Sequence, residues 1–122
     1  MTFPSTLPRA TVSAVALREG AAVALAGHEL PASLIVDCSH GNSEKNYRRQ
    51  AEVISSLCEQ IEQGQRAIRG VMLESHLVSG NQPLTAGSAL TYGQSITDAC
   101  LSLDETAPLL EQLAAAIRRT AP

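Results

Sequence analysis

Aromatic side chains are nearly absent from this chain of 122 residues: Phe3, Tyr47 and Tyr92 are the whole supply, and there is no tryptophan. Aromatics provide much of the buried area of ordinary cores, so the core here has to be aliphatic, and ring stacking on bases or sugars is not an expected mode of recognition. Positive charge is also scarce. Lys45 is the one lysine beside eight arginines, 9 basic residues face 12 acidic ones, and the net charge is -3. Binding to a phosphate backbone calls for a basic excess, so nucleic acid is not an expected partner. Cys38, Cys58 and Cys100 are odd in number and form no C-x-x-C pair, which argues for reduced thiols rather than a secreted disulfide framework. No apolar run approaches the roughly 18 residues of a membrane span. Arg18–Glu19 interrupts the apolar stretch from Val12 to Leu25 and argues against a signal peptide. A soluble, cytoplasmic product with no membrane partner is the expectation.

What the chain does contain is 44% hydrophobic residues, enough for a single folded domain. Residues 1–12 are polar and broken by Pro4 and Pro8, the pattern of an irregular leader. A helix is predicted from Ser13 to about Ala26, stopped by Gly27 and Pro31. The apolar run within Ser33–Ser39 shows no alternation, as expected for a strand buried on both faces. From about Ser43 to Gln63, Tyr47, Val53, Ile54, Leu57, Cys58 and Ile61 mark the apolar face of a helix. Ser43 is the predicted cap, and Gly64 the left-handed residue that ends it.

A second buried strand is predicted over Ala67–Ser75, then a glycine-rich loop over 76–93, then a third strand at about Ser95–Cys100. The last helix is predicted to start with Thr106 as N-cap, so that Pro108 falls in the first turn. Leu109, Leu110, Leu113, Ala114 and Ile117 form its expected apolar stripe. Helices alternating with buried strands imply an α/β fold with a parallel sheet, and three strands are too few to close a barrel.

Each predicted strand ends in polar residues: Asp37-Cys38-Ser39-His40, Glu74-Ser75-His76, and Asp98 within Thr97-Asp98-Ala99. In parallel α/β folds ligands bind beyond the carboxyl ends of the strands. His40, Glu74 and Asp98 can therefore converge, and imidazole with two carboxylates suits a divalent metal such as Mn, Fe, Co or Zn. Simpler roles exist for the same residues. His40 could be a turn residue at the helix entrance, and strand-end polar groups also serve as caps and loop anchors. His76 is expected on the loop and solvated, Cys38 as a small buried hydrophobe, and Asp37 on the side opposite His40, tying strand to helix. A carboxylate such as Glu74, directly after Val71-Met72-Leu73, needs a cation or donors nearby. There is no phosphate-binding glycine motif and no Ser/His/Asp arrangement.

Taken together, D-C-S-H-G-N-S (37–43), G-V-M-L-E-S-H-L-V-S-G-N-Q (70–82) and Y-G-Q-S-I-T-D-A-C (92–100) resemble the C-terminal third of the class I 3-deoxy-D-arabino-heptulosonate 7-phosphate (DAHP) synthases. The resemblance runs from about Ser13 to Arg119. It implies the C-terminal portion of a (β/α)₈ TIM barrel, incomplete as a closed barrel, over residues 13–119, with 120–122 as a tail. It implies a transferase of aromatic amino acid biosynthesis, catalysing the first step of the shikimate pathway: condensation of phosphoenolpyruvate with erythrose 4-phosphate. It also implies His40, Glu74 and Asp98 as metal ligands, without the family's fourth ligand, a cysteine from the early strands. The family's phosphate-holding basic segments have no counterpart here. These residues alone are thus expected to be inactive, needing a homo-oligomer or an N-terminal partner fragment. The alternative is a non-catalytic remnant or a small metal-binding or oligomerising module.

Overall fold

The structure, a computed structural model, describes residues 23–31, 33–41, 43 and 46–120. Residues 23–27 are helical; the rest of the predicted first helix and the leader lie outside the described residues. The elements that follow are β1 (Leu34–Asp37), a 3₁₀ turn (Tyr47–Arg49), α1 (Gln50–Glu62), β2 (Ile68–Met72), β3 (Ser75–His76), β4 (Val78–Asn81), β5 (Gln94–Ser95), β6 (Leu101–Ser102) and α2 (Leu103–Thr120). All three ladders among the described residues are parallel pairs: β1 with β2, β3 with β6, and β4 with β5. The α/β character expected from the sequence is present, and no barrel closes among these residues.

The β1–α1–β2 unit forms because α1 presents a continuous aliphatic face. Val53, Ile54, Leu57, Cys58 and Ile61 are buried against Val36 and Cys38 of the β1 segment, and against Leu109, Leu113 and Ala116 of α2. Parallel partners share a face. Val36 and Val71, which pair, point to the helices, while Ile35, opposite Gly70, is half exposed. Burial on both faces, as the unalternating runs predicted, is therefore not found for β1 and β2. Helices cover one face only, and Ile35 and Met72 stay open on the other.

Chain 68–76 changes neighbours midway. Cys38 N–H donates to the Met72 carbonyl at 2.9 Å, whereas Leu101 N–H donates to the Glu74 carbonyl at 3.0 Å. Glu74 thus sits where one ladder ends and the next begins. The third strand predicted over Ser95–Cys100 is interrupted: residues 96–98 are a bend, and the pairing falls on either side of it, at Gln94–Ser95 with β4 and at Leu101–Ser102 with β3. The local cause is Ser95, whose hydroxyl accepts the Thr97 N–H and turns the chain.

Both main helices start differently from the sequence prediction. Asn46, not Ser43, accepts the Arg48 N–H at the head of the 3₁₀ turn that leads into α1. Residues 44 and 45 lie outside the described residues. Gly64, at φ +100°, ends α1 as expected. In α2 a capping box precedes the predicted start: Ser102 Oγ accepts the Glu105 N–H, and Glu105 Oε1 accepts the Ser102 N–H. Thr106 is therefore inside the helix, and Pro108 lies beyond the first turn. The buried stripe also differs from the expected one. Leu109, Leu113 and Ala116 are buried, while Leu110 and Ile117 are exposed.

The expected long loop is partly structured. Gln82 closes it with its side chain, donating to the Thr91 and Gln94 carbonyls and accepting the Thr91 N–H at 2.8 Å. Gly93, at φ +81°, meets Leu77 so closely that a Cβ there would lie 2.8 Å from the leucine Cβ. Only glycine satisfies both conditions.

Candidate metal centre

His40 follows β1 in an uncommon conformation, φ +41°. That turn cancels strand alternation, so Asp37 does not lie opposite His40. Instead Asp37 Oδ2 is 2.8 Å from His40 Nδ1, and Asp37 Oδ1 accepts both the N–H and the hydroxyl of Ser39. The other imidazole nitrogen faces two carboxylates. His40 Nε2 lies 3.0 Å from Glu74 Oε1 and 3.5 Å from Asp98 Oδ2. One donor atom from each of His40, Glu74 and Asp98 lies within 4.8 Å of the others. The three strand-end residues singled out in the sequence therefore do meet.

Each is delivered by a different device. Glu74 is braced by Gln50, the first residue of α1 and fully buried. The Gln50 amide accepts the Glu74 N–H at 2.9 Å and donates to its carbonyl at 3.3 Å, standing in for a strand neighbour at the ladder change. Asp98 is exposed on the 96–98 bend, which Asn81 Nδ2 holds through the Thr97 carbonyl. Backbone bonds between Gly80 and Cys100 close the same corner. Ser39, Ser43, Tyr47, Asn81 and Ala99 complete the lining of a cleft of about 160 Å³ around the three.

The electrostatics fit a place for a cation. The hydrogen bond that His40 donates to Asp37, opposed by partial burial and assisted by the charges of Asp37, Glu74 and Asp98, holds the His40 imidazole above its ordinary pKa. Burial pushes the Glu74 carboxyl up, and the negative charges of Asp98 and Asp37 add to this while His40 offsets it. An acidic group and an imidazole are thus both drawn toward their protonated forms, Glu74 chiefly by burial and His40 chiefly by its bond to Asp37, with the neighbouring carboxylates adding to both.

Among the other candidates, His76 is exposed, as expected, but belongs to strand β3 rather than to the loop, where it pairs with Ser102, and it accepts the Leu77 N–H through Nδ1. Cys38 is fully buried in the core, its thiol pushed up to about 12 chiefly by desolvation. It behaves as a small apolar side chain. One consequence is testable. The folded thiol keeps its proton at alkaline pH while the unfolded one, near 8.5, releases it. Stability therefore falls as pH rises above about 9, by up to about 1.4 kcal/mol per pH unit from this residue. Urea midpoints measured from pH 8 to 11 should decline less steeply in Cys38→Ala; equal slopes would refute the assignment.

Parallel strands that bring an imidazole and two carboxylates together beyond their carboxyl ends define an α/β protein with its candidate site where such sheets bind ligands. The comparisons with known proteins give the family. Residues 10–111 match the DAHP synthetase I family, and the chain belongs to it. The Phe-sensitive phospho-2-dehydro-3-deoxyheptonate aldolase of Escherichia coli (strain K12) is 52% identical over 89 residues, 73% of this chain and 25% of that protein. The Trp-sensitive phospho-2-dehydro-3-deoxyheptonate aldolase of Salmonella typhimurium is 53% identical over 89 residues, covering 73% and 26%. The solved phospho-2-dehydro-3-deoxyheptonate aldolase of Francisella tularensis SCHU S4 superposes with TM-score 0.83 at 39% identity, over 88% of this chain and 31% of that one. The chain spans about a quarter of the length of the curated relatives it matches. Among the described residues, no helix is long and apolar enough to cross a membrane.

Proposed function

We propose that residues 13–119 are a segment of a (β/α)₈ barrel, and that His40, Glu74 and Asp98 are its ligands for a divalent metal. The reaction served is the condensation of phosphoenolpyruvate with erythrose 4-phosphate that releases phosphate. The convergence of the three donor atoms within 4.8 Å carries this reading. One imidazole and two carboxylates fit Mn, Fe, Co or Zn. Three protein donors leave further coordination positions for water or substrate. A metal held there would polarise a carbonyl oxygen or lower the pKa of a bound water. The chain's own residues orient and balance charge: Gln50 fixes the Glu74 backbone, and Asn81 fixes the bend that presents Asp98.

The same observations bear on how the site is completed. Among the described residues, none that lines the cleft is an arginine or lysine, and two phosphorylated substrates call for such cations. Turnover is thus assigned to an assembly in which further barrel strands complete the site, in the same polypeptide or a partner. The experiment is phosphate release from the two substrates with Mn²⁺, using the 122 residues alone and then mixed with a fragment matching the remaining three quarters of the relatives. No turnover alone and turnover on mixing is the expected outcome. Failure in both arms would overturn the catalytic reading.

A further inference from the structure

We propose that Asp37 is a positioning residue: it holds the His40 imidazole in the tautomer that carries its proton on Nδ1 and turns the lone pair of Nε2 toward Glu74 and Asp98. This rests on the metal reading above and extends it to a residue that is not one of the three converging donors.

The proton assignment follows from what can accept. A carboxylate only accepts hydrogen bonds, so the 2.8 Å contact between Asp37 Oδ2 and His40 Nδ1 requires the hydrogen on Nδ1. Ser39 points the same way. Its hydroxyl hydrogen goes to Asp37 Oδ1, leaving its oxygen lone pairs free to accept from Nδ1, 2.9 Å away. Two acceptors thus face Nδ1. By the same rule the 3.0 Å contact between His40 Nε2 and Glu74 Oε1 holds one hydrogen in the metal-free chain, on a doubly protonated ring or on Glu74. When the ring is neutral, Asp37, the nearer carboxylate and backed by Ser39, keeps the Nδ1 hydrogen, and the Nε2 lone pair is left toward Glu74 and Asp98.

The arrangement is held firmly. Asp37 is buried, 7% exposed, and its Oδ1 takes two bonds from Ser39, so the carboxylate plane cannot swing away from His40. His40 in turn adopts φ +41°, a region that non-glycine residues seldom enter. The positive φ is what lets residues three apart at the end of a strand face each other. Metal-bound imidazoles commonly donate their second N–H to a carboxylate, which fixes the ring and strengthens the ligand.

A competing explanation gives Asp37 a purely local role, closing the turn with Ser39. The two separate on readouts that a turn-closing role does not move. In the metal-free 122-residue chain with ¹⁵N-labelled histidine, ring-nitrogen shifts recorded at a pH where His40 is neutral should show Nδ1–H. Asp37→Asn and Asp37→Ala should move the ring toward the Nε2–H form. Calorimetry with Mn²⁺ should show affinity reduced about 10–100-fold in both variants at unchanged circular dichroism. Ser39→Ala, which removes turn bonds but keeps the carboxylate, should change affinity far less. An Nε2–H tautomer in the unsubstituted chain overturns the proposal, as does unaltered tautomer and affinity in both Asp37 variants. The unsubstituted chain's tautomer decides the matter even if a variant fails to fold. If the unsubstituted chain binds no Mn²⁺, the metal reading falls, and the ring-nitrogen shifts still decide the role of Asp37.

Discussion

Glu74→Ala is expected to lose Mn²⁺ affinity by more than the roughly 100-fold that marks the loss of an outer partner of a metal site, with the circular dichroism of the 122-residue chain unchanged. Removing this carboxylate leaves, among the described residues, His40 Nε2 and the exposed Asp98 as the converging donors. The fold should tolerate the change, because Gln50 bonds to the backbone of residue 74 rather than to its side chain. Burial already works against the Glu74 charge, so the metal-free variant should melt no lower than the unsubstituted chain. A ligand whose removal abolishes binding without weakening the fold is the signature of a functional carboxylate. Calorimetric titration with Mn²⁺, paired with thermal melts, makes the comparison. Undiminished affinity in Glu74→Ala would place any bound metal elsewhere.

The second large effect concerns the core. Leu57→Ala is expected to lower stability by about 2–5 kcal/mol, a large share of the roughly 5–15 kcal/mol typical of a small domain. Leu57 is fully buried in the cluster that joins α1, α2 and β1. With no large aromatics in that cluster, little can move in to fill the void. Leu110→Ala is the matched control. Leu110 is 51% exposed on the outer side of α2, so its loss should stay within about 0.5 kcal/mol. Urea denaturation of the two variants should show a clearly lower midpoint for Leu57→Ala alone. Similar shifts in both would mean that α2 buries the face read from the sequence rather than the one in the structure.

The contrast between Leu57 and Leu110 shows how legible the chain was. The α1 face could be read because its apolar residues recur regularly and nothing competes with the pattern. The α2 start differs from the sequence expectation because Pro108 resembles a first-turn signal. The stronger signal is Ser102-Leu-Asp-Glu105, a capping box visible in the sequence, which sets the helix origin earlier. Of the five apolar residues of the expected stripe, packing against α1 buries only Leu109 and Leu113. His40, Glu74 and Asp98 were legible from their place near strand ends, even though a bend interrupts the third strand. Asp98 reaches the cluster from a bend, and period-two alternation says nothing about bends. Gln50 was missed although it left a trace: it is a polar residue within the apolar stripe of Ile54, Leu57 and Ile61, buried because it serves the backbone of another segment. The contact between Asp37 and His40 left no trace. It depends on a positive φ at a histidine, which no residue pattern announces.

The clamp made by Gln82 bears on how the chain could be altered. Because the Gln82 side chain and its backbone N–H, which donates to the Ser95 carbonyl, close residues 83–90 at their base next to the β4–β5 ladder, the loop's geometry is set at its neck and not along its length. Lengthening a loop whose ends stay joined adds little closure entropy, about 0.6 kcal/mol per doubling. The Thr85–Ser88 turn, at the exposed tip, is therefore the natural graft point for a reporter peptide or affinity tag. Such an insertion would mark the molecule without entering the core or loosening the bend that carries Asp98.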